Sequence, residues 1–294
     1  MYNFKLVNAD TDSIMVVKED ETPFTEEEQA ALISELNDMF PEHINWDEDG
    51  YFDSVVVIKA KNYVLKEHGT GKVKTKGSGL KDSKKEPALR ELMDKMVKAM
   101  LDRKEDTLLS IYHSYIQEAL NVQEIRRWCT KKTITESITD CEGYTEEDIK
   151  SKKLRKNETD VWDAVKNEAG LQQGDKVYLY PTILETKVVP GGVGKTGKPL
   201  KDKVVEVTGF KMDKYWNNDH DVQKLVERVY KTVDIFKTVL DMSLFTDYPK
   251  DKYYKMIQQG VSLEEIDVIY KEDERIKGEK KAAKALKVEN GTEI

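Results

Sequence analysis

Asn8-Ala9-Asp10-Thr11-Asp12-Ser13 stands between two β-prone runs, Phe4-Lys5-Leu6-Val7 and Ile14-Met15-Val16-Val17. Short apolar runs around Asn/Asp-rich punctuation predict a hairpin with a carboxylate-bearing turn. Two carboxylates on one tight turn can hold hard divalent cations through oxygen. Phosphoryl transfer assisted by two metals about 3.5–4 Å apart needs carboxylates of this kind. A bare Asp-x-Asp turn is more often an ordinary Asx turn, so the surrounding sequence has to decide.

Outward from the turn, Thr25-Glu26-Glu27-Glu28 has capping-box spacing and predicts an amphipathic helix to about Phe40, stopped by Pro41. Ser54 to Leu65 is a continuous β-prone run containing Lys59-Ala60-Lys61-Asn62-Tyr63. Gly69 and Gly71 then mark a turn into a second strand through Lys76. The segment Lys74-Thr75-Lys76-Gly77-Ser78-Gly79-Leu80-Lys81-Asp82-Ser83-Lys84-Lys85 leads to helices that begin at Pro87 and run to about Trp128. A domain boundary is expected around Ser83 to Pro87.

Further on, the pattern predicts helix over Thr145 to Ala169. Strands at Lys176 to Val189 and Lys201 to Phe210 are joined by a Gly-rich loop. A long helix from Asp221 to about Ser243 carries Leu225, Val229, Val233, Phe236 and Leu240 on one stripe. Gly278 to Ile294 is charged and apolar-poor, which predicts a disordered tail.

The chain has 294 residues, 38% hydrophobic and 35% charged, with a formal net charge of -8. Net acidity argues against a nucleic-acid binder, but the charge is segregated. Lys5 and Lys18 are the only Lys or Arg before Lys59, while acids crowd at Glu19 to Glu21, Glu26 to Glu28 and Asp47 to Asp49. From Lys59 to Lys104 the balance inverts, and Lys72, Lys74 and Lys76 alternate so that three ammonium groups share one strand face. A basic stripe inside an acidic protein is the electrostatic footprint of a polyanion site; its bland reading is a solvated surface that guards a strand edge. Two cysteines, Cys129 and Cys141, without a CxxC pair exclude a disulfide framework and a zinc knuckle. No stretch resembles a signal peptide or a membrane span, so a soluble protein of a reducing cytoplasm is expected.

Taken together, the Asp10 to Ser13 turn, the Lys61-Asn62-Tyr63 strand about fifty residues later, the Lys-Gly turn and the helices that follow resemble family B DNA polymerases of the bacteriophage kind. In that family, motif C is a hairpin bearing a DTDS turn, and a Lys-x-Tyr strand grips the primer-template duplex. The resemblance implies an α+β fold: partial palm β-hairpins with a helix over 1–85, then a mainly helical thumb with a small β insertion over 86–277. It implies Asp12 as principal ligand of Mg2+ and Asp10 as a weaker, supporting one. Lys61, Asn62 and Tyr63 are expected to contact the primer side, with Lys74, Lys76, Lys81, Lys84, Lys85, Lys131 and Lys132 on DNA phosphates. Ala60 stands where many relatives have a further lysine.

The family also needs motif A, which supplies another metal-binding aspartate, and a motif B helix that contacts the incoming deoxynucleoside triphosphate. Neither is in this sequence. A split gene or a shortened larger polymerase would account for that, and the split is the expectation. The expected partner is therefore an N-terminal polymerase chain with motifs A and B, possibly with an exonuclease, in an infected bacterial host. The rival reading is a non-catalytic duplex-binding module with vestigial carboxylates.

Several look-alikes fail on chemistry. Val189 to Thr196 nearly spells a phosphate loop, but its first position is valine, and Gly197 and Pro199 block the required helix. Asn45 to Gly50 imitates a calcium loop, yet the twelfth position is Val56 rather than a bidentate Glu. Ser243-Leu244-Phe245 resembles a sliding-clamp peptide but lies inside the chain, so clamp binding is unsupported. His43, His68, His113 and His220 lack ligand spacing, and Trp128, Trp162 and Trp216 read as packing residues.

Overall fold

In the computed structural model, which describes residues 4–77, 83–135, 156–190 and 202–290, the chain is α+β, and the described residues form three small antiparallel sheets. It divides into two compact units. The first comprises residues 1–81, 97–105 and 238–240; the second comprises 82–96, 106–237 and 241–294.

The first unit begins with β1 (Phe4–Asp10) and β2 (Ser13–Lys18), paired from Phe4 opposite Lys18 to Asp10 opposite Ser13. Helix α1 (Glu26–Asp38) opens on the capping box expected from sequence. Glu28 N–H donates to Thr25 Oγ1 at 3.2 Å, and Thr25 N–H donates to Glu28 Oε2 at 2.8 Å. Such a cap is worth about 1 kcal/mol. Lys18 pairs with Glu28 at 2.5 Å and ties the hairpin to the helix.

Ser54 to Leu65, expected as a single strand, is two. Strands β3 (Phe52–Lys59) and β4 (Asn62–Glu67) form a tight hairpin with Lys59 opposite Asn62, and β5 (Val73–Lys76) completes the sheet in the order β3-β4-β5. The reversal at Ala60-Lys61 places Lys61 at φ 61. Without glycine, proline or asparagine at those two positions, the β-branched run on either side masks the turn. Ile58, Tyr63, Val64 and Leu65 are buried, together with Met100 and Leu101. Three polar ties bring the later segments into this unit: Ser54 Oγ to Leu101 O at 3.0 Å, Lys66 Nζ to Asp102 Oδ1 at 2.7 Å, and Thr238 Oγ1 to Ile58 O at 2.6 Å.

The second unit contains the larger core. Its elements are α2 (Pro87–Leu101, of which the last turn belongs to the first unit), α3 (Leu108–Leu120), β6 (Thr130–Thr133), α4 (Lys156–Val165), β7 (Lys176–Val189), β8 (Lys203–Met212), α5 (Val222–Val233), α6 (Asp251–Gln258) and α7 (Leu263–Asn290). Trp128, Tyr112, Tyr180, Tyr248, Phe236 and Phe245 are its most enclosed large side chains. Each buries enough apolar area to contribute on the order of 2–3 kcal/mol. Leu225, Val229, Val233 and Phe236 are fully buried, as their stripe predicts, but α5 ends at Val233 and short 3-10 turns follow. The sheet runs β6-β7-β8, and Val161 and Val165 of α4 pack with Ile134, Val177, Leu179 and Met212. The expected helical stretch before Lys156 and the Gly-rich loop at 191–201 lie outside the described residues.

Where composition suggested a disordered tail, α7 continues to Asn290. Lys, Glu and Ala are strong helix formers, and Arg275 bridges Glu272 at 2.7 Å and Glu279 at 2.5 Å, one turn away on either side. A segment with too few apolar residues for a core still has enough local bonding for a helix.

Candidate metal and nucleic-acid site

The site begins with a two-residue loop. Asp10 closes β1 and Ser13 opens β2, so Thr11 and Asp12 alone turn the chain. Thr11 takes φ 48, the positive value that hairpin turns place at their first loop position and usually give to glycine. A β-branched residue there costs on the order of 1–3 kcal/mol, a strain typical of functional turns. Asp12 N–H donates to Asp10 O at 2.6 Å, and Ser13 Oγ donates to the same carbonyl at 3.1 Å. Thr11 Oγ1 donates to Asp10 Oδ1 at 3.1 Å. The Asp12 carboxylate is exposed and meets no hydrogen-bonding or ionic partner among the described residues.

Lys61 Nζ lies 3.3 Å from Asp10 Oδ1. The lysine reaches it from the Ala60-Lys61 turn, which is braced twice. Asn62 Nδ2 donates to Ala60 O at 3.2 Å, and Gly77, at φ 101, packs so closely that a Cβ there would stand 2.5 Å from Lys61 O. Lys61 is therefore a turn residue and not, as the sequence suggested, part of a strand. Asp10, Asp12, Lys61, Tyr63, Lys76 and Arg103 line one cleft of about 1440 Å³ in the first unit.

The remaining sequence candidates separate. Tyr63 is only 6% exposed, so its ring is part of the sheet core and walls the cleft; it is not a ring presented to solvent. Lys74 is held by Glu67 at 2.7 Å and lies over the Phe52 ring at 5.6 Å. That pairing, with Thr70, holds the Glu67 carboxyl below its usual range. Lys72 precedes β5, and Lys74 is half-buried while Lys76 is exposed. The expected three-lysine face is thus interrupted at its centre. Lys81 lies outside the described residues.

Lys84 and Lys85 fall in the second unit, where Lys131 N–H donates to Lys84 O at 3.1 Å. Glu86, 6% exposed, fixes this corner: it accepts a hydrogen bond from Thr130 Oγ1 at 3.0 Å and pairs with Arg228. The backbone of the Lys84-Lys85 segment is thereby joined to β6, in which Lys131 and Lys132, consecutive in the strand, point to opposite faces. Sequence reasoning missed Glu86 and Arg228, and had Arg103 only as a member of the basic stretch from Lys59 to Lys104. The available signal for Glu86 was a single carboxylate among Lys84, Lys85 and Arg90. Arg103, at φ 53, lay within that stretch, but nothing in the sequence singled it out as a cleft residue.

His113, Trp128 and Trp216 are structural. His113 Nε2 pairs with Asp267 Oδ2 at 2.8 Å, Trp128 is 1% exposed, and Trp216 Nε1 donates to His220 Nδ1 at 3.1 Å. Burial pushes the Cys129 thiol up to about 12, which leaves it unreactive.

Asp10 and Asp12 offer the hard oxygen donors that Mg2+ prefers. Among the described residues, however, no three His, Cys, Asp or Glu side chains gather into a metal-ligand group. The turn fits a divalent cation in donor chemistry and supplies part of a ligand set. No described helix is long and apolar enough to cross a membrane.

No protein-family model and no curated protein matches the chain. Among solved structures it is similar to the family B DNA polymerase from the hyperthermophilic archaeon Pyrobaculum calidifontis, with a TM-score of 0.50 and 13% identity. The match covers 81% of this chain and 27% of that one. At this identity the likeness is one of fold alone, a polymerase-like fold.

Proposed function

We propose that the chain is the C-terminal palm and thumb portion of a bacteriophage-type DNA-directed DNA polymerase, completed by a second polypeptide carrying motifs A and B. The observation that carries this reading is the Asp10 to Ser13 hairpin loop facing a cleft that also holds Lys61 and Lys76, inside a polymerase-like fold.

Asp12, exposed and without competing partners among the described residues, would be the main carboxylate for Mg2+, with Asp10 in support. Bound there, the ions would supply charge stabilisation to the attacking and leaving oxygens of nucleotidyl transfer. The chain's own part is to hold two carboxylates at fixed separation in a strained loop, and to present Lys61 and Lys76 to the phosphates of a primer-template. Tyr63 keeps the cleft wall rigid beneath them. In the second unit, Lys84, Lys85, Lys131 and Lys132 would track the duplex backbone without reading sequence.

The need for a partner rests on unpartnered faces. Among the described residues, sheet β1-β2 has two strands, which is marginal in water. Phe4, Leu6 and Ile14 are 38%, 62% and 37% exposed, and α1 buries no residue. A further carboxylate, the triphosphate contacts and the cover for these faces would come from the same partner.

Primer extension and sedimentation of the chain, alone and with a polypeptide carrying motifs A and B, test the reading. The expected result is association, with extension only in the mixture. Robust extension by the chain alone, or no association, would favour the non-catalytic duplex-binding module.

A further inference from the structure

Lys61 and Asp10 sit at the tips of two separate hairpins, yet the Lys61 ammonium rests 3.3 Å from Asp10 Oδ1. The lysine side chain is 70% exposed while the carboxylate is 26% exposed, so the contact is reached from solvent and can open without disturbing packing. The tip that carries it is rigid. Lys61 is held at φ 61, and Gly77 packs against its carbonyl. The ammonium therefore moves by side-chain torsions alone, over a fixed anchor. Asp12, one loop residue from Asp10, carries no comparable pair among the described residues.

An ammonium and a divalent cation compete for one carboxylate, since each neutralises it and each repels the other. Lys61 is also one of the cations facing the cleft in which a polyanion would lie, beside Lys76 and Arg103. It cannot hold Asp10 and a phosphate at full strength together.

We propose that Lys61 is an internal competitor for the cation at Asp10, so that metal loading releases Lys61 to the nucleic-acid phosphates. The proposal rests on the polymerase reading of the hairpin and adds regulation to it. Because coupling between two binding events is reciprocal, a polyanion that draws Lys61 away must tighten cation binding by the same factor with which the cation tightens polyanion binding. The arrangement also accounts for two unequal carboxylates on one loop: Asp12 takes a cation without displacing anything, and Asp10 must first give up its lysine.

The test uses the whole chain and two binding measurements, with no catalysis. Mn2+ is titrated while paramagnetic broadening of the amide signals of residues 10–13 is followed. Primer-template affinity is measured by anisotropy in EDTA and in Ca2+ at matched ionic strength. Lys61→Gln should bind Mn2+ about threefold more tightly than the wild type, the size of effect a surface ion pair supplies. The ratio of DNA affinities with and without Ca2+ should be about threefold larger in the wild type than in Lys61→Gln, which removes unspecific effects of the ion. Lys76→Gln should weaken DNA binding while keeping the wild-type ratio. Unchanged Mn2+ affinity in Lys61→Gln, or an unchanged Ca2+ ratio, would overturn the proposal and leave the polymerase reading intact. Absence of broadening at residues 10–13 in the wild type would overturn the proposal, since the chain alone then holds no cation for Lys61 to contest. The polymerase reading, which draws a further carboxylate from a partner, is tested by primer extension.

Discussion

Lys131 donates its backbone N–H to the carbonyl of Lys84 at 3.1 Å. This bond, with Glu86 clamped between Thr130 and Arg228, joins the backbone of the Lys84-Lys85 segment to that of β6, which carries Lys131 and Lys132. The scaffold is backbone and buried carboxylate. Replacing Lys84, Lys85, Lys131 or Lys132 singly by alanine should flatten the log-log salt dependence of primer-template binding by about 0.9 for each phosphate that is no longer neutralised. Lys74→Ala should leave the slope unchanged, because Glu67 already holds that ammonium. Equal slopes for all five variants and the wild type would make the surface an ordinary solvated face.

Gly77 is required by geometry. Its φ of 101 and the 2.5 Å approach of a Cβ to Lys61 O leave no room for a side chain. Gly77→Ala should destabilise the first unit by on the order of 1–3 kcal/mol in urea unfolding and shift the amide signal of Lys61. Gly69→Ala, where a Cβ meets nothing within 4 Å, should cost less, its φ of 72 being the only strain.

Acid should loosen the second unit. Hydrogen bonds from Lys95 and Arg127 hold the Glu91 carboxyl down to about 2. Burial raises the Asp267 carboxyl, but bonds from His113, Thr246 and Tyr248 outweigh it and leave the group below its usual range. Both folded values lie below the unfolded ones of about 4, so their stabilisation is complete above that pH and is lost as pH falls through the folded values. Glu91 is 42% exposed, which limits its share to under about 1 kcal/mol. The melting temperature should fall between about pH 4.5 and pH 2, and Glu91→Gln should make that fall shallower. An unchanged slope in the variant would show that the Glu91 pairs contribute nothing.

Strong local chemistry was legible in the sequence. The Asp10 to Ser13 turn between two apolar runs gave the hairpin, Thr25 and Glu28 gave the capping box, and the Leu225 to Phe236 stripe gave a core helix. Tertiary determination was not. The Ala60-Lys61 reversal has no turn residues, because its positive φ is imposed by Gly77 and Asn62 packing on it. Lys74 and Lys76 look alike in a strand pattern, and only the position of Glu67 across the loop separates a paired lysine from an exposed one. Tyr63 falls in a motif that suggests a surface role, yet its place opposite Lys76 in the central strand of the sheet buries the ring. The α7 extension past Ile276 follows from i to i+3 and i+4 ion pairs, which a hydropathy reading passes over.

Asp12 carries the central claim, since its exposed carboxylate is the donor that nucleotidyl transfer would depend on. The decisive measurement is single-turnover nucleotide incorporation by the wild-type chain and by Asp12→Asn, each combined with a polypeptide that carries motifs A and B, with primer-template affinity measured alongside. Loss of transition-state charge stabilisation predicts a fall in incorporation of at least about a hundredfold, with DNA affinity within about twofold of wild type and Asp10→Asn less affected. Incorporation at near wild-type rate by Asp12→Asn would contradict the assignment of this hairpin to catalysis.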